Sequence, residues 1–232
     1  MNDNPIGIFD SGSGGLTVLE ACRKILPAES YIYVSDSSGS WGGRTEKQIA
    51  TRANKCVDLL LHYGVKAIVA ACNTATAVTI DSIRERWAIP VVGIEPSVKP
   101  ASEAFPHGRI LVLTTPATAR QRRFKELINS CNAQFIVRPQ PTLASRIEQN
   151  LGDLDSFYPE VESIIAGENV AAVVLGCTHY VFLRDQFERA MGGADKVFDG
   201  CAGVARRLDY LLRENGLTTS ASGLGQVTFD TI

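Results

Sequence analysis

Short runs rich in Ile and Val recur along the chain at residues 6–9, 31–34, 67–71, 90–93, 110–113, 135–137, 170–175 and 197–198. Between several of them lie stretches with apolar residues at helical spacing, at 16–26, 46–63 and 77–86. Strands that are apolar on both faces, alternating with amphipathic helices, predict parallel α/β sheets covered on both sides. The order of elements also repeats. The strand ending at Asp10 is matched by one ending at Thr114, and the strand ending at Cys72 by one ending just before Cys177. The run at 90–93 pairs with 197–198 at a similar offset, a little over a hundred residues each time. Two similar α/β halves are therefore expected, although residue identity between them is slight.

The chain has 232 residues, 45% hydrophobic and 21% charged, enough for one large core or two small ones. A formal net charge of −2 lacks the basic excess of a nucleic-acid-binding chain. The one basic cluster, Arg120, Arg122, Arg123 and Lys125 beside Glu126, reads as a solvated helix face. No apolar run approaches the ~18–20 residues of a membrane span, and residues 1–5 lack the features of a secretory signal. A soluble cytoplasmic protein is expected. In that setting the six cysteines at 22, 56, 72, 131, 177 and 201 are expected to be reduced thiols. There is no Cys-x-x-Cys pair and the histidines are scattered at 62, 107 and 179, so no zinc site is expected. Cys22 and Cys56 fall among helical apolar positions and read as core.

Two cysteines stand apart. In open parallel sheets, ligands bind just beyond the carboxyl ends of strands. Cys72 follows Ala67-Ile68-Val69-Ala70-Ala71 and Cys177 follows Val173-Val174-Leu175-Gly176, so each lies at that edge of its own half. Each also precedes a helix start, where backbone N–H groups favour a carboxylate and can ease ionisation of a thiol. Asn73, Thr74 and Thr178 are candidates for holding such a carboxylate, and His179 for sharing a proton with Cys177. Taken singly, each motif is slightly better read as a buried cysteine followed by capping residues. Their matching positions favour catalysis. Asp10-Ser11-Gly12-Ser13-Gly14-Gly15 follows the first strand, with glycines that allow close backbone approach. Its spacing differs from the dinucleotide fingerprint, and Asp10 would repel a phosphate. Asp10 suits a partner for a thiol or an ammonium, with helix capping by Ser11 or Ser13 as the plain alternative. Glu148 by itself reads as an exposed helical residue.

Residues 6–18 (Ile6-Gly7-Ile8-Phe9-Asp10-Ser11-Gly12-Ser13-Gly14-Gly15-Leu16-Thr17-Val18), Ala71-Cys72-Asn73-Thr74-Ala75 and Gly176-Cys177-Thr178-His179-Tyr180 resemble the three hallmark segments of glutamate racemases, in order and spacing. The cysteine segments are shared across the wider aspartate/glutamate racemase superfamily. The resemblance implies two pseudo-symmetric parallel-sheet α/β domains with the site in the cleft between them, residues 1–97 plus 206–232 and residues 98–205. It implies interconversion of L- and D-glutamate without cofactor or metal, supplying D-glutamate for peptidoglycan, and a homodimer. By carry-over, Cys72 takes the α-proton of the D-isomer and Cys177 that of the L-isomer. Asp10 assists the first, His179 the second, and Glu148 aligns with a further catalytic carboxylate. Asp10, Ser11, Asn73, Thr74, Thr178 and His179 would contact substrate.

The chain departs from the family in several places. Where Pro-Tyr-Gly usually holds the substrate's side-chain carboxylate, it has Ser40-Trp41-Gly42 in a loop one residue shorter. Backbone donors of Gly42 and Gly43 remain available, but Trp41 is bulkier than Tyr, which leaves aspartate or another small acidic amino acid as an alternative substrate. Asp199-Gly200-Cys201 stands for the usual Asp-Ser-Gly, and Val181 for a usual Pro. The chain reaches Ile232 just after a strand-like Gln226-Val227-Thr228-Phe229, where relatives often continue. A non-enzymatic protein binding dicarboxylates or amino acids on the same fold is the reading from a different class.

Overall fold

The computed structural model describes all residues from 1 to 232. The first half runs β1 (Ile6–Asp10), α1 (Leu16–Ile25), β2 (Tyr31–Ser35), α2 (Glu46–His62), β3 (Ala67–Ala70), α3 (Asn73–Arg86) and β4 (Val91–Gly93). The second runs α4 (Val98–Ala104), β5 (Arg109–Thr114), α5 (Pro116–Arg120), α6 (Arg122–Asn129), β6 (Gln134–Pro139), α7 (Leu143–Gln149), α8 (Tyr158–Ile165), β7 (Ala172–Gly176), α9 (Arg184–Met191) and β8 (Val197–Phe198). The chain then returns to the first half with α10 (Cys201–Glu214) and β9 (Val227–Thr231).

Every strand pairing is parallel. The sheet orders are β4-β3-β1-β2-β9 and β6-β5-β7-β8. With β9 set aside, the second order is the first with each strand replaced by the one four later, so the repeat in the sequence is a repeat of topology. The central strands are buried along their whole length, as their uniform Ile/Val/Ala composition requires. Helices cover both faces of each sheet. On the first, α1 and α10 enclose one core with Ile6, Ile8 and Val69, while α2 and α3 enclose the other with Phe9, Ile68 and Ala70. On the second, α7, α8 and α9 share a core with Leu111, Val173 and Leu175, and α4 and α6 pack around Ile110, Val112 and Val174. Cys22 and Cys56 are fully buried in the first-half cores.

Local signals set the element ends. Thr45 and Gln48 form a reciprocal capping box that starts α2. Thr115 caps α5, whose first residue is Pro116. The basic cluster is only partly a solvated face. Arg122 pairs with Glu126 one turn on, but Arg123 reaches Glu95 and Asp81 of the first half at 2.6 and 3.0 Å. Periodicity could not reveal this, because the acids lie on a different sheet's elements.

Candidate active site

Each strand that ends in a cysteine stops where its apolar run gives way to small polar residues. Cys72 is the extended residue before α3, and Cys177 the extended residue before a 3₁₀ turn over Thr178–Leu183. They are 5% and 7% exposed, so both thiols are shielded from bulk water.

Around Cys72 the partners are acidic and hydroxylic. Its Sγ lies 3.7 Å from Ser11 Oγ. Asp10, fully buried at the end of β1, accepts the Gly15 N–H at 3.0 Å through Oδ2, while Oδ1 has no partner. Burial raises the Asp10 carboxyl above the ordinary range, opposed by the charge of His179. Burial also pushes the Cys72 thiol well above its ordinary value, and the negative charge of Asp10 adds to that. Cys177 contributes a further, smaller push in the same direction.

Around Cys177 the charges are reversed. His179 is buried, with Nε2 2.5 Å from Glu148 Oε2. Burial opposes its protonation, but contact with the Cys177 sulfur and the Glu148 carboxylate outweighs this and pushes His179 up to about 10. Glu148 is drawn down to about 2, chiefly by His179 and against its partial burial. The same carboxylate receives the Ser13 Oγ–H at 2.7 Å and the Ser13 N–H at 3.1 Å. Ser13 belongs to the β1–α1 loop and Glu148 to α7, so this clasp joins the two halves. Glycine makes the join possible. A methyl group on Gly14 would lie 2.6 Å from both Thr178 Oγ1 and His179 Nδ1. The glycine loop thus brings one half's backbone against the other's catalytic-edge turn.

Thr74, at the start of α3, shares hydrogen bonds with Thr115 at 2.9 Å and Thr118 at 3.2 Å, and the latter two bond each other at 3.0 Å. This buried triangle of hydroxyls is a second bridge between the halves. Asn73 is buried, and its Oδ1 has no partner. The Trp41 side chain is turned into the core of the first half, and its Nε1–H donates to Asp36 at 2.7 Å. Gly42 abuts the Thr115 methyl, and its carbonyl accepts the Ala117 N–H at 2.9 Å.

The structure therefore brings Asp10, Ser11 and Cys72 together on one side, and Thr178, His179, Glu148 and Cys177 on the other. Ser13, Tyr33, Thr115 and Thr118 are further residues of the site that the sequence reading did not single out. Tyr33 donates its hydroxyl to the Gly12 carbonyl at 2.7 Å. A signal for Thr115 was present: carried one residue further, the Asp10–Thr114 match pairs Ser11 with Thr115. A cavity of about 410 Å³ opens beside this constellation, lined by Ser11, Ser13, Tyr33, Glu148 and His179 among others. Neither thiol lines it. No group of three His, Cys, Asp or Glu side chains is placed to hold a metal ion, and no helix is long and apolar enough to cross a membrane.

Residues 6–208 match the family model described as Asp/Glu/Hydantoin racemase, a span that holds both cysteines and every residue named in the clasp. The chain belongs to that racemase family. Among racemase relatives, the glutamate racemase of Clostridium botulinum (strain Loch Maree / Type A3) is 35% identical, over 98% of this chain and 91% of its own. Among solved racemase structures, a glutamate racemase isoform of Bacillus anthracis superposes with a TM-score of 0.84 at 28% identity, covering 100% of this chain and 89% of the other. The Francisella tularensis glutamate racemase, solved with D-glutamate, gives 0.82 at 28% identity with the same coverage. As in its racemase relatives, this chain carries its chemistry on an α/β fold, and it is an isomerase of amino acids.

Proposed function

We propose that the protein interconverts L- and D-glutamate by a two-thiol mechanism, with Cys177 removing the α-proton of the L-isomer and Cys72 that of the D-isomer. The observation that carries this reading is the pair of buried strand-end thiols at matching places in the two halves, with Ser11 3.7 Å from the one and the His179–Glu148 pair on the turn that follows the other. A racemase must return a proton to the face opposite the one it left, and two fixed thiols do so without either having to move. The His179 cation offsets negative charge formed at Cys177, while burial and the Asp10 charge hold the Cys72 proton ready for delivery. Removing the α-proton throws negative charge onto the substrate's carboxylate. The free amides at the start of α3 and of the turn at Thr178 are the preorganised donors for it. Asp10 Oδ1 and Asn73 Oδ1, buried without partners, supply acceptors for the ammonium group.

Glutamate is favoured over a shorter acid because the relatives named glutamate racemase align over nearly the whole chain, and because Trp41 lies in the core. The proposed division into residues 1–97 plus 206–232 and residues 98–205 gives each half one thiol. Assembly as a homodimer is part of the same proposal, as is a cytoplasmic role in supplying D-glutamate for the cell wall.

The test is racemisation in deuterated water with each enantiomer of glutamate and of aspartate. Loss of optical rotation on glutamate with α-deuterium incorporation is expected, and the loss of rotation should be abolished in Cys72→Ser and in Cys177→Ser. Turnover confined to aspartate would overturn the substrate, and exchange that survives removal of both thiols together would overturn the thiols.

A further inference from the structure

Both thiols are buried, yet each lies beside residues that reach one common space. Cys72 Sγ lies 3.7 Å from Ser11 Oγ. Cys177 immediately precedes the turn that carries His179, whose Nε2 lies 2.5 Å from Glu148 Oε2. Ser11, His179 and Glu148 all line the 410 Å³ cavity. Its other walls are rich in hydroxyl groups, from Ser35, Ser37, Ser40 and Thr231, and it is large enough for several hydrogen-bonded water molecules.

Two-thiol inversion leaves a residue of its own. After one L-to-D turnover the proton sits on Cys177 and Cys72 is bare, the reverse of the starting state. Before a second L-isomer can react, the sulfurs must exchange their protons through something other than substrate. We propose that the cavity is the proton-return chamber of the free protein, with Glu148 as the outlet on the Cys177 side and Ser11 on the Cys72 side. This rests on the two-thiol reading above.

The step balances without any change at carbon. The His179 cation first releases its Nε2 proton along Glu148 to cavity water, and the neutral ring then takes the Cys177 S–H proton, which restores the cation and leaves the sulfur bare. One proton from water reaches the Cys72 thiolate through the Ser11 hydroxyl, which gives up its own hydrogen to sulfur and takes one from water. Two protons cross, no electron is transferred, and net charge is conserved. Glu148 suits the outlet because its carboxylate is partly exposed, whereas the His179 ring behind it is 3% exposed. Ser13 holds that carboxylate on the His179 nitrogen, and so positions the outlet.

The experiment uses an equal mixture of the enantiomers in ordinary water, so that no net reaction occurs. The L-isomer carries α-deuterium and a carbon-13 label, and the loss of deuterium to water is compared with the inversion of the labelled skeleton. The mirror experiment labels the D-isomer. In the wild type at low concentration, deuterium is lost with each inversion. At saturation, a fresh substrate captures the sulfur before it is reset, and loss per inversion falls. In Glu148→Gln, loss per inversion from labelled L-glutamate at saturation is expected to fall a further ~10²-fold, the lower end of the weight of one positioned proton-transfer group. Labelled D-glutamate should be little affected. Ser11→Ala should give the opposite pattern, and Glu148→Asp should partly restore the first.

Equal changes for both labels, the signature of general loosening, or no change in either variant, would overturn the chamber. Failure of the two-thiol reading appears separately, as carbon-13 inversion that is absent in the wild type or persists without the thiols.

Discussion

The two cysteines sit at equivalent places in equivalent halves, yet their surroundings are electrically opposite. Cys72 faces a buried carboxyl and a hydroxyl, and burial together with the Asp10 charge keeps its proton on. Cys177 faces an imidazole held as a cation by a carboxylate that reaches it from α7. The repeat therefore governs backbone and topology and leaves the side chains free to differ. One consequence is directional. Under the proposed mechanism, a proton held on Cys72 and a buried cation on the Cys177 side poise the protein to take the proton of whichever enantiomer presents its hydrogen to Cys177. A symmetric pair of environments would leave no such preference, and each of the following experiments probes whether the difference is real.

The largest effect belongs to the thiols. Cys72→Ser and Cys177→Ser should each lower racemisation by about 10³-fold or more. Each should still exchange the α-hydrogen of one enantiomer, a different one in the two variants. Proton NMR in deuterated water reads this directly, and loss of exchange from both enantiomers in either variant would erase the distinction between the sides.

Next comes Gly14→Ala, whose methyl would overlap Thr178 and His179. It should lower kcat by about 10²-fold by displacing the Cys177 side, in line with the sensitivity of such geometry to shifts near 1 Å. Its thermal midpoint should fall only as far as an overpacking cost of about 1–3 kcal/mol implies.

The pH profile separates the sides at about tenfold in kcat. Removing the Glu148 charge in Glu148→Gln lowers His179 from about 10, so the alkaline limb moves to lower pH. Asp10→Asn removes the charge that helps to hold Cys72 up, so the limb belonging to that thiol moves down, while the His179 limb, to which Asp10 contributes less than Cys177 and Glu148 do, moves down less than in Glu148→Gln. A common shift in both variants would mean that the two environments titrate as one.

The smallest effect is on stability. Glu148 is held at about 2 against an ordinary 4.5, so its contribution is complete above pH 4.5 and is lost as pH falls through 2. His179, raised from 6.5 to about 10, contributes fully below pH 6.5 and loses this as pH rises through 10. The difference in thermal midpoint between wild type and Glu148→Gln should thus be greatest between pH 4.5 and 6.5 and shrink on either side. A difference independent of pH would show that the clasp works by packing alone.

Much of this was legible in the sequence, for identifiable reasons. Strands β1, β3, β5 and β7 announced themselves as short apolar runs because they are buried on both faces, β6 did so through Phe135-Ile136-Val137 although it is only partly buried, and the matched strand ends at Asp10 and Thr114 exposed the repeat. Cys72, Cys177 and their flanking polar residues stood out because they follow such runs directly. Glu148 did not, because a half-exposed glutamate on a helix is common. Its meaning comes from Ser13, 135 residues away on another sheet's loop. Ser13 was hidden for the same reason, as was the triangle of Thr74, Thr115 and Thr118. Trp41 taught the converse. Loop position suggested a residue facing substrate, whereas its size and its bond to Asp36 draw it into the core. α3 begins at Asn73, ahead of the amphipathic pattern at 77–86, since its first turn is buried all round and so shows no periodicity.

The strand β9 has a consequence in time. It lies against β2, with the Phe229 ring 6.0 Å from that of Tyr33, and the Ile232 carbonyl accepts the Ser37 hydroxyl from 195 residues upstream. At a synthesis rate of about 5–20 residues per second, the outer edge of β2 waits about 10–40 s for its neighbour to be made. Through that interval the nascent first half presents an unpaired strand edge, the feature most prone to pairing with another chain. The wall of the cavity formed by Phe229 and Thr231 is also missing until then. Completion of that cavity thus waits on β9, although both thiols and all their partners have been made well before.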